Sequence, residues 1–168
     1  MTGSSISLVR AGLDDHDTLS AMHGLCFASA WSAQEFTGLL APSNSYALLA
    51  RNNGPTSPAC GFIVLRHAAD EAEIITLGVI PQAQRQGVAS AMLASTIAAL
   101  ETDGIACLFL EVAEDNAAAY GFYQSHGFCE VGRRDAYYTV ADGTRRTAIV
   151  MRRTLSSGSR CTACAGPL

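Results

Sequence analysis

The sequence predicts an α/β fold, a mixed central sheet with helices on both faces. Segments of strand-like and helix-like apolar periodicity alternate along it in the order β-α-α-β-β-β-α-β-α-β-β. Its 168 residues are 49% hydrophobic and 15% charged, enough apolar surface for one core and too little charge for a disordered chain. No run of about eighteen uncharged apolar residues appears, so no membrane span is expected.

The elements follow in order. Ile6, Leu8 and Arg10 alternate with Ser7 and Val9 as a first strand. Asp14 or Asp15 is expected to cap a helix carrying Leu19, Met22 and Cys26 on one side. Ser32-Ala33-Gln34-Glu35 is a capping-box pattern opening a second helix, with Phe36, Leu39 and Leu40 behind it and Pro42 as the stop. Residues 46–51, 59–67 and 73–80 read as a three-stranded meander, broken at Asn52-Asn53-Gly54-Pro55 and Ala69-Asp70-Glu71. After Gly87, the spacing of Ala89, Leu93, Ile97 and Leu100 gives a helix face that stops at Asp103-Gly104. An apolar strand over 105–112, a helix from Asn116 to Gly127, and two strands over 128–138 and 145–153 around Ala141-Asp142-Gly143 complete the fold. Residues 1–155 are expected to form one domain. The tail over 156–168, with little to bury, is expected to be mobile.

Composition removes whole classes of chemistry. All eleven basic residues are arginine, so mechanisms built on a lysine amine are excluded. The start, Met1 to Arg10, lacks the charged and long apolar regions of a signal peptide, and a cytoplasmic location is expected. The net charge is −4 but unevenly spread: residues 1–131 hold four Arg against thirteen acids, and 132–168 hold seven Arg against two. A mildly acidic body argues against nucleic acid as a partner, and the late arginines read as solvated residues of an edge hairpin. Cys26, Cys60, Cys107 and Cys129 fall in apolar runs and are expected to be reduced core residues. Cys161 and Cys164 have metal-ligand spacing but lack a second pair, and His16, His23, His67 and His126 show no ligand spacing, so no metal is expected.

The most informative segment is Leu77-Gly78-Val79-Ile80-Pro81-Gln82-Ala83-Gln84-Arg85-Gln86-Gly87-Val88-Ala89-Ser90, an apolar strand, a polar turn and a helix opening with small residues. Such a helix start presents unpaired N–H groups and a positive dipole end, which suit a pyrophosphate; an ordinary strand-to-helix turn fits the pattern equally well. Asn116, Tyr120 and Tyr123 are spaced by four and three and share one helix face, where Tyr120 reads as a core residue. Glu111 lies in an apolar strand, where a carboxylate needs either a partner or a wet cleft; base and structural ion pair are both open.

Gln84-x-x-Gly87-x-Ala89 after a Val-x-Pro strand end resembles the acyl-CoA pyrophosphate motif of the GNAT N-acetyltransferase superfamily, and the element order matches that fold over residues 4–153. Leu108-Phe109-Leu110-Glu111-Val112, Asn116-Ala117-Ala118-Ala119, Tyr123-x-x-x-Gly127-Phe128, Trp31-Ser32 and Tyr137-Tyr138 are similar to the bacterial ribosomal-protein-alanine N-acetyltransferases. The resemblance implies acetyl-CoA as cosubstrate, bound by the backbone of Leu77, Gly78 and Val79 along its pantetheine arm. The amides of Arg85, Gln86, Gly87, Val88, Ala89 and Ser90 would hold the pyrophosphate, and Asn116 would hydrogen-bond the cosubstrate. It implies Glu111 as proton acceptor, Tyr123 as proton donor, and Trp31, Tyr137 and Tyr138 on the acceptor side; the tetrahedral oxyanion needs a backbone donor, for which the Val79 N–H is the candidate. The implied acceptor is a protein N-terminus, that of small-subunit ribosomal protein S18. The sequence departs from the family at Ala89 for Gly, Ile80 for an acidic residue and Ala30 for Pro. A small-molecule amine or lysine acceptor, and a non-catalytic acyl-CoA-binding module, are the competing readings.

Overall fold

A computed structural model describes residues 5–139 and 145–155, with the backbone alone at 136–139 and 145. The elements are β1 (Ile6–Arg10), α1 (His16–Cys26), α2 (Ala33–Leu40), β2 (Ser45–Asn52), β3 (Ala59–Ala68), β4 (Glu71–Val79), α3 (Val88–Thr102), β5 (Cys107–Ala113), α4 (Ala117–Ser125), β6 (Cys129–Thr139) and β7 (Arg145–Thr154). The expected order is met. The strands are hydrogen-bonded as β1-β2-β3-β4-β5-β7-β6, and the parallel β4–β5 pair among antiparallel neighbours makes the sheet mixed. The expected turn at Ala141-Asp142-Gly143 and the tail beyond Leu155 lie outside the described residues.

Local chemistry sets most boundaries. Asp15 stands at the N-cap position of α1, but its side chain makes no cap bond there: residues Leu13–Asp15 form a one-turn 3-10 helix, and Asp15 Oδ2 accepts the Gly12 N–H at 2.9 Å. Because α1 continues directly from that turn, the carboxylate closes the turn and not the helix. The capping box of α2 is complete, with Ser32 Oγ accepting the Glu35 N–H at 3.3 Å and Glu35 Oε2 accepting the Ser32 N–H at 2.7 Å. At its C-terminus α3 passes into Gly104, φ +75°, while the Ile105 N–H reaches back to the Leu100 carbonyl at 2.9 Å. Its buried stripe is Val88, Met92, Leu93, Thr96, Ile97 and Leu100; Ala89, expected on that face, is half-exposed beside it.

Two compact units make up the chain: Met1–His67 with Ile75–Ala99, and Ala68–Ile74 with Leu100–Leu168. In the first, Ala47–Ala50 of β2 and Cys60–Leu65 of β3 are buried throughout, as strands covered on both faces must be. Phe62 packs with Leu19 and Met22 of α1 and Phe36 of α2 on one face. Its neighbour Gly61 turns to the other, where a Cβ would meet Val88 Cγ1 at 2.9 Å and Met92 Cε at 3.0 Å of α3. Gly78 is equally confined, because a Cβ there would lie 2.6 Å from Phe62 Cε1 and 3.1 Å from Cys26 Sγ.

In the second unit, Glu71–Ile74 of β4 pair in parallel with Cys107–Leu110 of β5, which pairs on its other edge with β7, and β7 with β6. Leu108, Leu110 and Val112 are buried, while Phe109 and Glu111 share the less buried face by strand alternation. The cysteine expectation needs correcting. Cys60 is a buried free thiol, but Cys26 is half-buried, Cys129 is exposed at the start of the terminal strand β6, and Cys107 is disulfide-bonded. Periodicity reports burial of a strand and says nothing of pairing between distant cysteines.

Gly78→Ala should lower stability in urea unfolding by ~1–3 kcal/mol through overpacking against Phe62. Combining it with Phe62→Leu, which vacates ring volume, should recover part of that loss; additive losses would show that the ring is not the obstacle.

Candidate active site

The segment expected to bind the acyl-CoA lies wholly in the first unit. The parallel ladder of β4 with β5 covers Glu71–Ile74 and stops, so the residues from Ile75 to Val79 have no partner in that ladder. Leu77 and Val79 are half-buried and Gly78 is buried. The chain then makes one 3-10 turn, Pro81–Ala83, and Gln84 Nε2 donates to the Val79 carbonyl at 3.1 Å, folding the turn back on the strand end. Gln86 Nε2 donates to the Gln82 carbonyl at 2.9 Å. Arg85 and Gly87 are left-handed, with φ +61° and +82°. For Arg85 this conformation is strained, a feature that gathers at ligand clamps. Gln84, Arg85, Gln86 and Gly87 are all exposed, and a Cβ on Gly87 would meet nothing within 4 Å, leaving open space beside the backbone. The Gly87 carbonyl accepts the Ala91 N–H at 2.9 Å, the first bond of α3.

The second unit holds the two residues expected to move protons. Glu111, its side chain 12% exposed, receives Arg134 Nε of β6 at 2.9 Å. Burial raises its carboxyl pKa, Arg134 pulls it down in part, and the like charge of Glu73 pushes it up again. Tyr123 of α4 is 8% exposed, packed against Phe122 and Phe128 with ring centroids 5.2 and 5.5 Å away, and burial pushes its phenol pKa up to about 12. Tyr120, expected in the core, is half-buried; Tyr123 is the enclosed one. Asn116 is exposed and caps α4, its Oδ1 accepting the Ala119 N–H at 3.1 Å. That capping role was not expected, and it leaves the amide NH2 without an assigned part in the cap.

The arginines of the closing strands are not simply solvated. Arg133 bonds Glu114 and also Glu130, the latter at 2.7 Å, and Arg146 pairs with Asp115. Trp31 is half-buried in the first unit, its indole stacked on His23 with centroids 4.6 Å apart. The backbones of Tyr137 and Tyr138 lie in β6, Tyr138 opposite Arg146. Arg134 and His23 were missed as functional neighbours; the one signal for the former was the segregation of charge along the chain, and the latter had none. Among the described residues no group of three or more His, Cys, Asp or Glu could hold a metal, and no helix is long and apolar enough to cross a membrane.

Comparison with known proteins places the chain among relatives of one family. The ribosomal protein bS18-alanine N-acetyltransferase of Escherichia coli (strain K12) is 43% identical over 90 residues, 54% of this chain and 60% of that protein; this chain thus covers less than two thirds of such relatives. The N-alpha-acetyltransferase RimI of Mycobacterium tuberculosis is 33% identical over 124 residues, 73% of this chain and 75% of that protein. The crystal structure of the ribosomal-protein-S18-alanine N-acetyltransferase from Escherichia coli superposes with a TM-score of 0.84 at 28% identity, covering 96% of this chain and 100% of that one. With residues 16–128 matching its family description as well, the chain belongs to the acetyltransferase (GNAT) family.

Proposed function

We propose that this protein transfers the acetyl group of acetyl-CoA to the N-terminal α-amine of a protein, with the N-terminal alanine of ribosomal protein S18 as the acceptor. The observation that carries the reading is the 43% identity, over 90 residues, to the enzyme that acts on that alanine. The reaction would take place in the cytoplasm without a metal, a membrane or a nucleic acid as partner. The open backbone at Gly87 and the first amides of α3 would receive the pyrophosphate, and the edge of β4 from Leu77 to Val79 the pantetheine arm. Asn116 would add a hydrogen bond through its free amide.

The chemistry asks little of the protein beyond position and two protons. An α-ammonium, pKa about 8, gives its proton to Glu111, directly or through water. The freed lone pair attacks the thioester carbonyl, whose oxygen takes the Val79 N–H. Collapse breaks the carbon–sulfur bond, the departing thiolate takes the Tyr123 proton, and the second proton of the attacking nitrogen passes through water to the phenolate so formed, leaving a neutral amide. Burial raises the Glu111 carboxyl pKa, which supports its role as base by making it stronger; the Tyr123 phenol, pushed up to about 12, is protonated but a weak acid, so its role rests on the family resemblance. Trp31, Tyr137 and Tyr138 would contact the incoming N-terminus.

Mass spectrometry of a peptide panel incubated with the protein and acetyl-CoA tests the reading. A peptide bearing the S18 N-terminus should gain one acetyl group on its α-amine. Acetylation confined to lysine side chains or to small amines would overturn it.

Tyr123→Phe should lower turnover by about a hundredfold to ten-thousandfold with little change in the acetyl-CoA dissociation constant, since the phenol acts when thiolate charge forms. Gly87→Trp should abolish acetyl-CoA binding in calorimetry, whereas Gly87→Ala, sharing the backbone strain without the bulk, should keep a measurable part of it. Equal losses would mean that strain, not occupied space, is responsible.

Glu111→Gln should impair turnover most below about pH 8 and less above it, where free amine is abundant. The same variant should also change how stability depends on pH. A raised carboxyl pKa means that the folded state binds more protons, so wild-type stability is fully present below the ordinary carboxylate range and falls as pH climbs through it. The melting temperature of Glu111→Gln relative to wild type should therefore rise as pH climbs above the ordinary carboxylate range.

A further inference from the structure

Two side chains of α1 hold one residue of the segment that leads to α2, Trp31, by the two peptide groups that flank it. Ser20 Oγ donates to the Trp31 carbonyl at 2.8 Å, and His23 Nδ1 accepts the Trp31 N–H at 3.2 Å. Three residues apart, they share one helix face. The imidazole is buried between two rings of that segment, Phe27 at 4.4 Å and Trp31 at 4.6 Å, with interplanar angles of 30° and 14°. Phe36 and Phe62 enclose it further, at 5.7 and 6.0 Å. On the other side of Trp31, the capping box of α2 fixes Ser32. An Nδ1 that accepts an N–H carries no proton, so this ring is neutral with its hydrogen on Nε2.

We propose that His23 is a positioning residue for the acceptor: neutral, it holds the Trp31 peptide and indole where the incoming N-terminus meets them, and protonation releases them. The inference rests on the acceptor-side role of Trp31 in the function proposed above. Among the groups packed around the ring, Phe27, Trp31, Phe36 and Phe62 carry no charge; Glu35 of α2 is the charged group whose field reaches it. Burial lowers the imidazole pKa and Glu35 offsets part of that. A proton on Nδ1 would face the Trp31 N–H donor to donor, and the bond between them cannot survive. With the folded-state pKa lowered, the clamp is complete above the ordinary imidazole range and gives way as pH falls below it.

Trp31 is the only tryptophan, so intrinsic emission reports this site alone. An indole released from the imidazole is more exposed to water, and its emission maximum moves to longer wavelength. The emission maximum of the full chain should shift to the red on acidification with a midpoint below about 6.5, with the far-UV circular dichroism unchanged. The transition should vanish in His23→Phe and His23→Gln. With an alanine-starting peptide near neutral pH, His23→Phe should raise the acceptor KM about fivefold or more while kcat and the acetyl-CoA KM stay within about twofold. His23→Gln, which keeps an accepting oxygen, should recover part of that loss. An absent transition, or one unchanged in both variants, overturns the clamp. A transition with an unaltered acceptor KM overturns the positioning role and leaves the proposed function standing. A wild-type protein that acetylates no peptide overturns that function and the acceptor role with it, while the emission titration still decides whether His23 grips Trp31.

Discussion

The depth to which α3 settles on β3 governs the first unit of this molecule. Val88 and Met92 approach Gly61 so closely that no side chain fits between them, and on the opposite face Phe62 claims the space that any side chain at Gly78 would need. These two small residues fix where β4 ends and where α3 begins. The turn between them must join fixed points over few residues, and it does so through left-handed backbone at Arg85 and Gly87. Gln84, Arg85, Gln86 and Gly87 are exposed along that turn, with open space beside Gly87.

The second unit is organised by charge. Along the chain the acids precede the arginines, yet in the fold Glu114, Asp115 and Glu130 are paired with Arg133 and Arg146, and Glu111 with Arg134. The exposed pairs contribute little each to stability. Their effect is positional, since they tie the turn between β5 and α4 to the closing strands. Glu111 is the different case. Its carboxylate lies among apolar strands where ionisation is costly, and Arg134, itself 55% exposed, relieves only part of that cost. A carboxyl group held in that balance keeps a raised affinity for protons while remaining anchored in direction, which are the two properties asked of a base.

The joining segment between α1 and α2 is built by the opposite means. It has no regular hydrogen bonding of its own, and is held by a serine hydroxyl, an imidazole and a capping carboxylate that all converge on Trp31 and Ser32. Such a segment depends on the protonation state of one ring. A strand or helix in its place would not, because its backbone bonds are insensitive to pH in that range.

Element order, the capping box at Ser32 and Glu35, the helix stop at Gly104 and the turn at Gly87 were determined by the sequence alone. Each depends on periodicity or backbone preference within a few residues, and short-range rules read such features directly. The Gln84-x-x-Gly87-x-Ala89 turn and the Glu111 strand were likewise legible, because their motifs are contiguous. The tertiary structure decided the rest: that Asp15 closes a turn ahead of α1, that Tyr123 and not Tyr120 is enclosed, that Cys107 is oxidised, and that Arg134 and His23 are the partners of Glu111 and Trp31. Burial of one aromatic over its neighbour turns on a few degrees of helix rotation. The partnership of Glu111 with Arg134 joins two strands that are distant in the sequence, and nothing local to either residue announces the other.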